Sequence, residues 1–237
     1  MDQALMALYH RHVVAAYDRQ RRLADFLERN ASGQGWNYTI STATLELGTI
    51  QFEALYLGSH ADPDNSWLWA WCNPHLNLTP DNRELGDAIR KLARDANIPA
   101  FAAEGQVSCA DLLGPAVSPR TAHALAAVVA GELGFDAYYT IPFEHGRAAA
   151  VIRDGRLRAE VPNPAARIVS VFPQALAAFP VPNHREAFAA YAAWHGLAVE
   201  EAPRGVSVLD NGKEVLKAEF DHLNRLTELK GTVGPDG

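Results

Sequence analysis

The sequence predicts an α+β protein built on an antiparallel sheet with packed helices, plus a smaller C-terminal α+β unit. Three observations predict it. Apolar residues recur at helical spacing over the first thirty residues, with Leu5, Leu8, Tyr9, Val13, Ala16, Leu23 and Leu27 on one stripe. Two groups of aromatic and β-branched segments follow, and their short polar connections favour antiparallel meanders. Between the groups stand two helix starts of one kind, Thr79-Pro80-Asp81 and Ser118-Pro119, each with a hydroxyl side chain to cap and proline at the first helical position.

Taken in order, the first helix ends at Asn30-Ala31-Ser32-Gly33, with Gly33 suited to a left-handed cap. Three strands are expected next: Trp36 to Leu47, Ile50 to Gly58, and a segment beginning at Ser66. The helix starting at Thr79 carries Leu85, Ala88, Ile89, Leu92 and Ala93 on its buried stripe. The one starting at Ser118 carries Leu125, Val128, Val129 and Leu133, and Gly134 closes it. Three further strands are expected, Ala137 to Phe143, Ala148 to Arg153 and Arg156 to Val161, the last pair joined by an Asp154-Gly155 turn. Pro162-Asn163-Pro164 interrupts the pattern and marks the expected boundary between a domain over residues 1–161 and a unit over 166–231. That unit reads strand, helix, strand, strand, helix: Ile168 to Phe172, a helix capped by Asn183, Val199 and Val206 to Asp210 as strands, a turn at Asn211-Gly212 placing Val208 opposite Val215, and a last helix holding Phe220, Leu223, Leu226 and Leu229. The tail from Thr232 is expected to be disordered. The short C-terminal unit also leaves room for one continuous domain.

The stretch Ser66-Trp67-Leu68-Trp69-Ala70-Trp71-Cys72-Asn73-Pro74 holds three of the five tryptophans. At a spacing of two they share one face of a strand, and Pro74 stops the ladder. Three tryptophans on one face make a core, because each buries a large apolar area. The other reading is an aromatic groove, with polar groups past the strand end completing a small-molecule pocket. The candidate ligand-binding residues are therefore Trp67, Trp69 and Trp71, then Asn73 and His75 at the exit, then Glu53, Tyr56 and His60 on the neighbouring strand and loop.

Composition narrows the function. Asp and Glu number 28 against 21 Lys and Arg, a net charge of -7, which argues against a nucleic-acid binder. No run approaches the ~18 apolar residues of a membrane span, and no basic segment leads into an apolar one at the N-terminus, so the expected location is the cytoplasm. Cys72 and Cys109 imply no disulfide framework. Cys72 reads as a buried small residue, whereas Cys109 follows an irregular stretch open to solvent. The nine histidines show no metal-binding spacing: His10 and His12 point apart on a helix. No metal and no cofactor is expected, since neither a phosphate-binding glycine loop nor a nucleophile elbow occurs. Glu46 and Glu53 on adjoining strands, and Asp62 and Asp64 around Pro63, read as solvent-facing and turn residues.

The aromatic segment, preceded by Tyr56-Leu57-Gly58-Ser59, resembles the signature of a bacterial family of unknown function. Its members carry a Leu-Gly-Ser/Thr turn and then a Trp-x-Trp-Ala-Trp-x-Asn segment. The resemblance covers about residues 35–150. Cys72 stands where a small residue such as Ala is expected. The resemblance implies kinship and a bacterial cytosolic setting, and no activity. The expectation is thus a non-catalytic module binding a small molecule or a protein, with self-association through a sheet edge or the first helix as a third role. The alternative is a small-molecule hydrolase with His75 or Cys109 in a pocket at the end of the tryptophan strand. Whether the chain is an enzyme is left open.

Overall fold

The computed structural model describes residues 1–33, 35–158 and 160–231. The expected disorder after Thr232 lies outside them. The fold is α+β, with helices and two antiparallel sheets. The chain divides into two units: Met1–Tyr9 with Arg19–Ala159, and His10–Asp18 with Glu160–Gly237. The first helix, α1 (Gln3–Asn30), contributes to both. Asp2 caps it, its carboxylate accepting from the Leu5 amide at 3.0 Å.

In the first unit, β1 (Trp36–Thr39) and β2 (Thr44–Leu47) replace the single strand expected there. Ala43 adopts a left-handed conformation at φ 50° and folds the segment into a hairpin, which propensity alone does not reveal. The long strand β3 (Ile50–Ala61) is the centre of the sheet. It pairs with β2, with β4 (Ser66–Trp69), and with β7 (Gly146–Ile152), which in turn pairs with β6 (Ala137–Phe143). A two-residue β5 (Val107–Ser108) pairs antiparallel with β4.

Helix α2 (Pro80–Asp95) starts as the sequence predicts, with Thr79 Oγ1 accepting from the Asn82 amide at 3.2 Å. The irregular stretch before Ser118 contains α3 (Cys109–Val117), kinked at Gly114. Helix α4 (Thr121–Glu132) follows a 3-10 turn at 118–120 and packs on β3, β6 and β7. It is apolar nearly all round and buried from Ala124 to Ala130, as a helix pressed into a core must be. A core cluster on the sheet gathers Leu45, Phe52, Ala54, Ala137, Ala150 and Ile152 with Leu23 of α1. The strand expected after Asp154 is a 3-10 turn, Gly155–Leu157. Asp154 caps that turn and ion-pairs with Arg156, which stops the ladder at Ile152.

The second unit differs from the expected order. Ile168 to Phe172, expected as a strand, lies in helix α5 (Pro164–Ala178). Asn163 Oδ1 accepts from the Ala166 amide at 2.9 Å and Pro164 opens the helix, so the interruption at 162–164 is itself a start signal. The buried residues Ile168, Val171, Phe172 and Ala175 follow helical spacing. Helix α6 (His184–Trp194) has its expected Asn183 cap. Four strands then form a meander, β8 (Ala198–Ala202), β9 (Gly205–Asp210), β10 (Lys213–Phe220) and β11 (Leu226–Gly231). The expected last helix is therefore β11: Asp221 Oδ1 accepts from the amides of Leu223 and Arg225, and Asn224 takes φ 58°, making a turn where a three-residue leucine spacing suggests a helix. A bulge near Val215 places Val208 opposite Leu216, one residue beyond the expected partner. Phe172, Phe188 and Phe220 pack edge-on or tilted in this core. The carboxylate of Asp18, fully buried, accepts from Arg167 Nε at 2.9 Å and from the Tyr191 hydroxyl at 2.9 Å.

Candidate functional site

The tryptophan segment leaves its strand at Trp69, and Ala70–Cys72 forms a 3-10 turn. Trp67 and Trp69 have no exposed surface. Trp71 is half-buried and stacks on Trp69 with centroids 4.9 Å apart, while the Arg90 guanidinium covers its other side at 5.1 Å. Trp69 Nε1 donates to the Ala100 carbonyl at 2.8 Å, and Trp71 Nε1 to that of Ala103 at 3.1 Å. Two of the three indoles are thus anchored to the backbone between α2 and β5. The close fit reaches Gly58, where an added Cβ would lie 2.4 Å from the Leu68 carbonyl and 2.7 Å from the Trp67 ring.

Past the strand end, Asn73 Oδ1 accepts from the His75 amide at 3.1 Å, closing a turn that leaves His75 exposed. Tyr56 is buried, and burial pushes its phenol up. Glu53 opposes Thr44, not Glu46, so the two carboxylates do not pair across the strands. It lines an open groove of about 380 Å3 with Asp81, Glu84 and Arg153 over Leu55, Leu85 and Phe135. All four charged groups are exposed, and the groove holds no convergent buried polar group. Cys109, expected near solvent, is fully buried, and its thiol is pushed up to about 11. At neutral pH the thiol is therefore protonated. Among the described residues no group of three or more His, Cys, Asp or Glu is placed to hold a metal ion.

His60 leads to a different arrangement. The β3–β7 register sets His60 directly opposite Arg147, so their side chains share one sheet face. Beyond β3, the turn at 118–120 and the first turn of α4 bring Arg120 and His123 to the same place. With Asp62 and Gly146 they line a cavity of about 110 Å3. Gly146 keeps the two strands close, since a Cβ there would stand 2.1 Å from the His60 carbonyl oxygen.

Each polar group in the cavity has a definable role. His60 is buried, with Nε2 3.0 Å from Asn65 Oδ1 and Nδ1 3.4 Å from Asp62 Oδ1. Asn65 Nδ2 donates onward to Ser118 Oγ at 3.4 Å, which fixes its oxygen toward His60. Arg147 Nη1 reaches Thr140 Oγ1 at 3.4 Å. Among the described residues, neither Arg120 nor Arg147 has a carboxylate within ion-pair distance. Burial, then Arg147 and Arg120, push the His123 imidazole down to about 4, so it is neutral at pH 7. The Tyr138 hydroxyl lies 3.5 Å from His123 Nδ1, and burial keeps that phenol protonated.

Of the candidate ligand-binding residues only His60 belongs to this cavity, joined by Asp62, which the sequence reads as a turn residue. Arg120 and His123 adjoin at the start of α4, but Arg147 lies on β7, and no local spacing joins it to them. The one legible signal is Ser118-Pro119, which marks a helix start just before Arg120.

Fold and cavity together define an α+β domain with an arginine-lined cavity beside its central strand pair. The chain belongs to a family of unknown function, DUF6882, whose profile matches residues 6–155. Every residue named on the cavity falls inside that segment. The match also takes in most of α1, which the resemblance at 35–150 leaves out. No curated protein and no solved structure matches the chain. Among the described residues no helix is long and apolar enough to cross a membrane.

Proposed function

We propose that the chain is a ligand-binding module and that the cavity between β3, β7 and α4 holds the anionic part of a small molecule. The observation that carries this reading is the convergence of two guanidinium groups with no carboxylate partner on a cavity beside a histidine held neutral. Unpaired cations brought together repel, and an oxyanion between them relieves that repulsion through charge-assisted hydrogen bonds. The tryptophans, Asn73 and His75 support the domain on this reading, and His60 shapes the cavity wall. A non-catalytic role fits the high thiol pKa of Cys109 and the solvent-facing position of His75.

Thermal melts at constant ionic strength test the proposal, because an anion that binds only the native state raises the melting temperature. Sulfate in place of chloride is expected to raise it for the native chain. The rise is expected to disappear in Arg147→Gln. Equal melting temperatures in sulfate, phosphate, acetate and chloride would overturn the binding reading.

A further inference from the structure

We infer that the group this cavity takes is a dianionic phosphate, free or as the end of a small monoester, and not a carboxylate. The inference rests on the anion-binding reading of the cavity and goes on to name its chemistry.

Three features of the cavity carry it. The first is the direction of the donors. Arg147 comes from the sheet, Arg120 from the turn at 118–120, and His123 from the first turn of α4. A carboxylate is planar and singly charged and is served by one guanidinium fork, whereas two guanidinium groups from separate elements match a tetrahedral dianion. The second feature is the balance of donors and acceptors. Both guanidinium groups only donate. Of the lining side chains, Asp62 alone is an anionic acceptor, and it lies at the exposed rim beside His60 Nδ1. A phosphate monoanion carries a P–OH that must find an acceptor; the dianion has no such need. The third feature is size. About 110 Å3 holds a headgroup, and the exposed positions of Arg120 and Pro119 leave the rest of an ester in solvent.

The test is calorimetric titration of the full chain at constant ionic strength with methyl phosphate, inorganic phosphate, sulfate, dimethyl phosphate and acetate. Methyl phosphate and sulfate are expected to bind at about pH 8, and dimethyl phosphate and acetate roughly tenfold or more weaker, the difference expected for one lost charge-assisted hydrogen bond. Lowering to about pH 5 protonates the monoester, whose second pKa is near 6. Its binding is then expected to fall while that of sulfate holds. The sulfate arm also accounts for the groups around the cavity, Arg120, Arg147, His123, Tyr138, His60 and Asp62, because sulfate keeps its charge across this range. Tighter binding of the ester than of inorganic phosphate identifies a monoester ligand, and the reverse identifies the free ion; each supports the inference. Acetate or dimethyl phosphate binding as tightly as methyl phosphate would overturn it, as would pH-independent binding of methyl phosphate. Binding of none of the anions would instead remove the anion-site reading beneath it. Arg120→Ala, at an exposed position, is expected to leave the unliganded melt unchanged and to weaken methyl phosphate roughly tenfold to a hundredfold. Wild-type affinity in that variant would also count against the inference.

Discussion

At His123, burial and two neighbouring guanidinium groups act in one direction, and the imidazole is pushed down to about 4 from its usual 6.5. The consequence for stability has a definite sign. Between these values the unfolded chain binds a proton that the folded chain does not, so stability falls as pH drops from about 6.5 toward 4. Full expression of the shift is worth up to about 3 kcal/mol. His123→Gln removes the titrating group and keeps a polar side chain at the site. Urea melts between about pH 4.5 and 7 are expected to show a shallower acid limb for the variant. Parallel limbs would mean that His123 titrates normally in the fold.

At the scale of elements, the tryptophan segment was legible as a place and less so as a shape. Alternation identified a strand and a core. It could not show that the strand ends at Trp69, because the turn at 70–72 is stabilised from outside, by Trp71 and Cys72 meeting the Ala103 carbonyl. Trp69 has no exposed surface, contacts Trp67, Trp71 and Phe101, and holds the Ala100 carbonyl. Trp69→Ala is therefore expected to cost about 3–5 kcal/mol in a denaturant melt. A cost below about 1 kcal/mol would contradict its burial. The same limit on local reading explains the second unit. The same cap-then-proline chemistry opens α2 at Thr79-Pro80 and α5 at Asn163-Pro164, but at the second the β-branched run Ile168 to Val171 imitates a strand. The leucine spacing after Phe220 suggested a helix, yet two turn-forming residues, Asp221 and Asn224, decide the local backbone. The cavity is hardest to read, because its register pairs His60 of β3 with Arg147, 87 positions later. Such a pair is fixed by sheet topology, which no window of sequence contains.

At the scale of the molecule, α1 is the element that ties the chain's two units to one another in sequence. Its Met1–Tyr9 and Arg19 sides belong with the sheet of the first unit, while His10–Asp18 belongs with residues of the second. In that second group Asp18 meets Arg167 and Tyr191, His10 Nδ1 meets Glu186 at 3.0 Å, and Tyr17 meets Phe179 edge-on. Val13, Val14, Ala15 and Ala16 are buried there as well. The family match, at 6–155, includes this helix segment but none of its partners beyond residue 160. Residues 1–158 alone would thus carry an Asp18 carboxylate and an apolar helix face stripped of what covers them. Loss of a buried partner of this kind costs about 3–5 kcal/mol, a large share of the stability of an ordinary domain. The expected outcome is that residues 1–158 expressed alone melt well below the full chain or associate on a sizing column. A monomeric fragment melting cooperatively at the temperature of the full chain would show that the first unit is complete without residues 160–231.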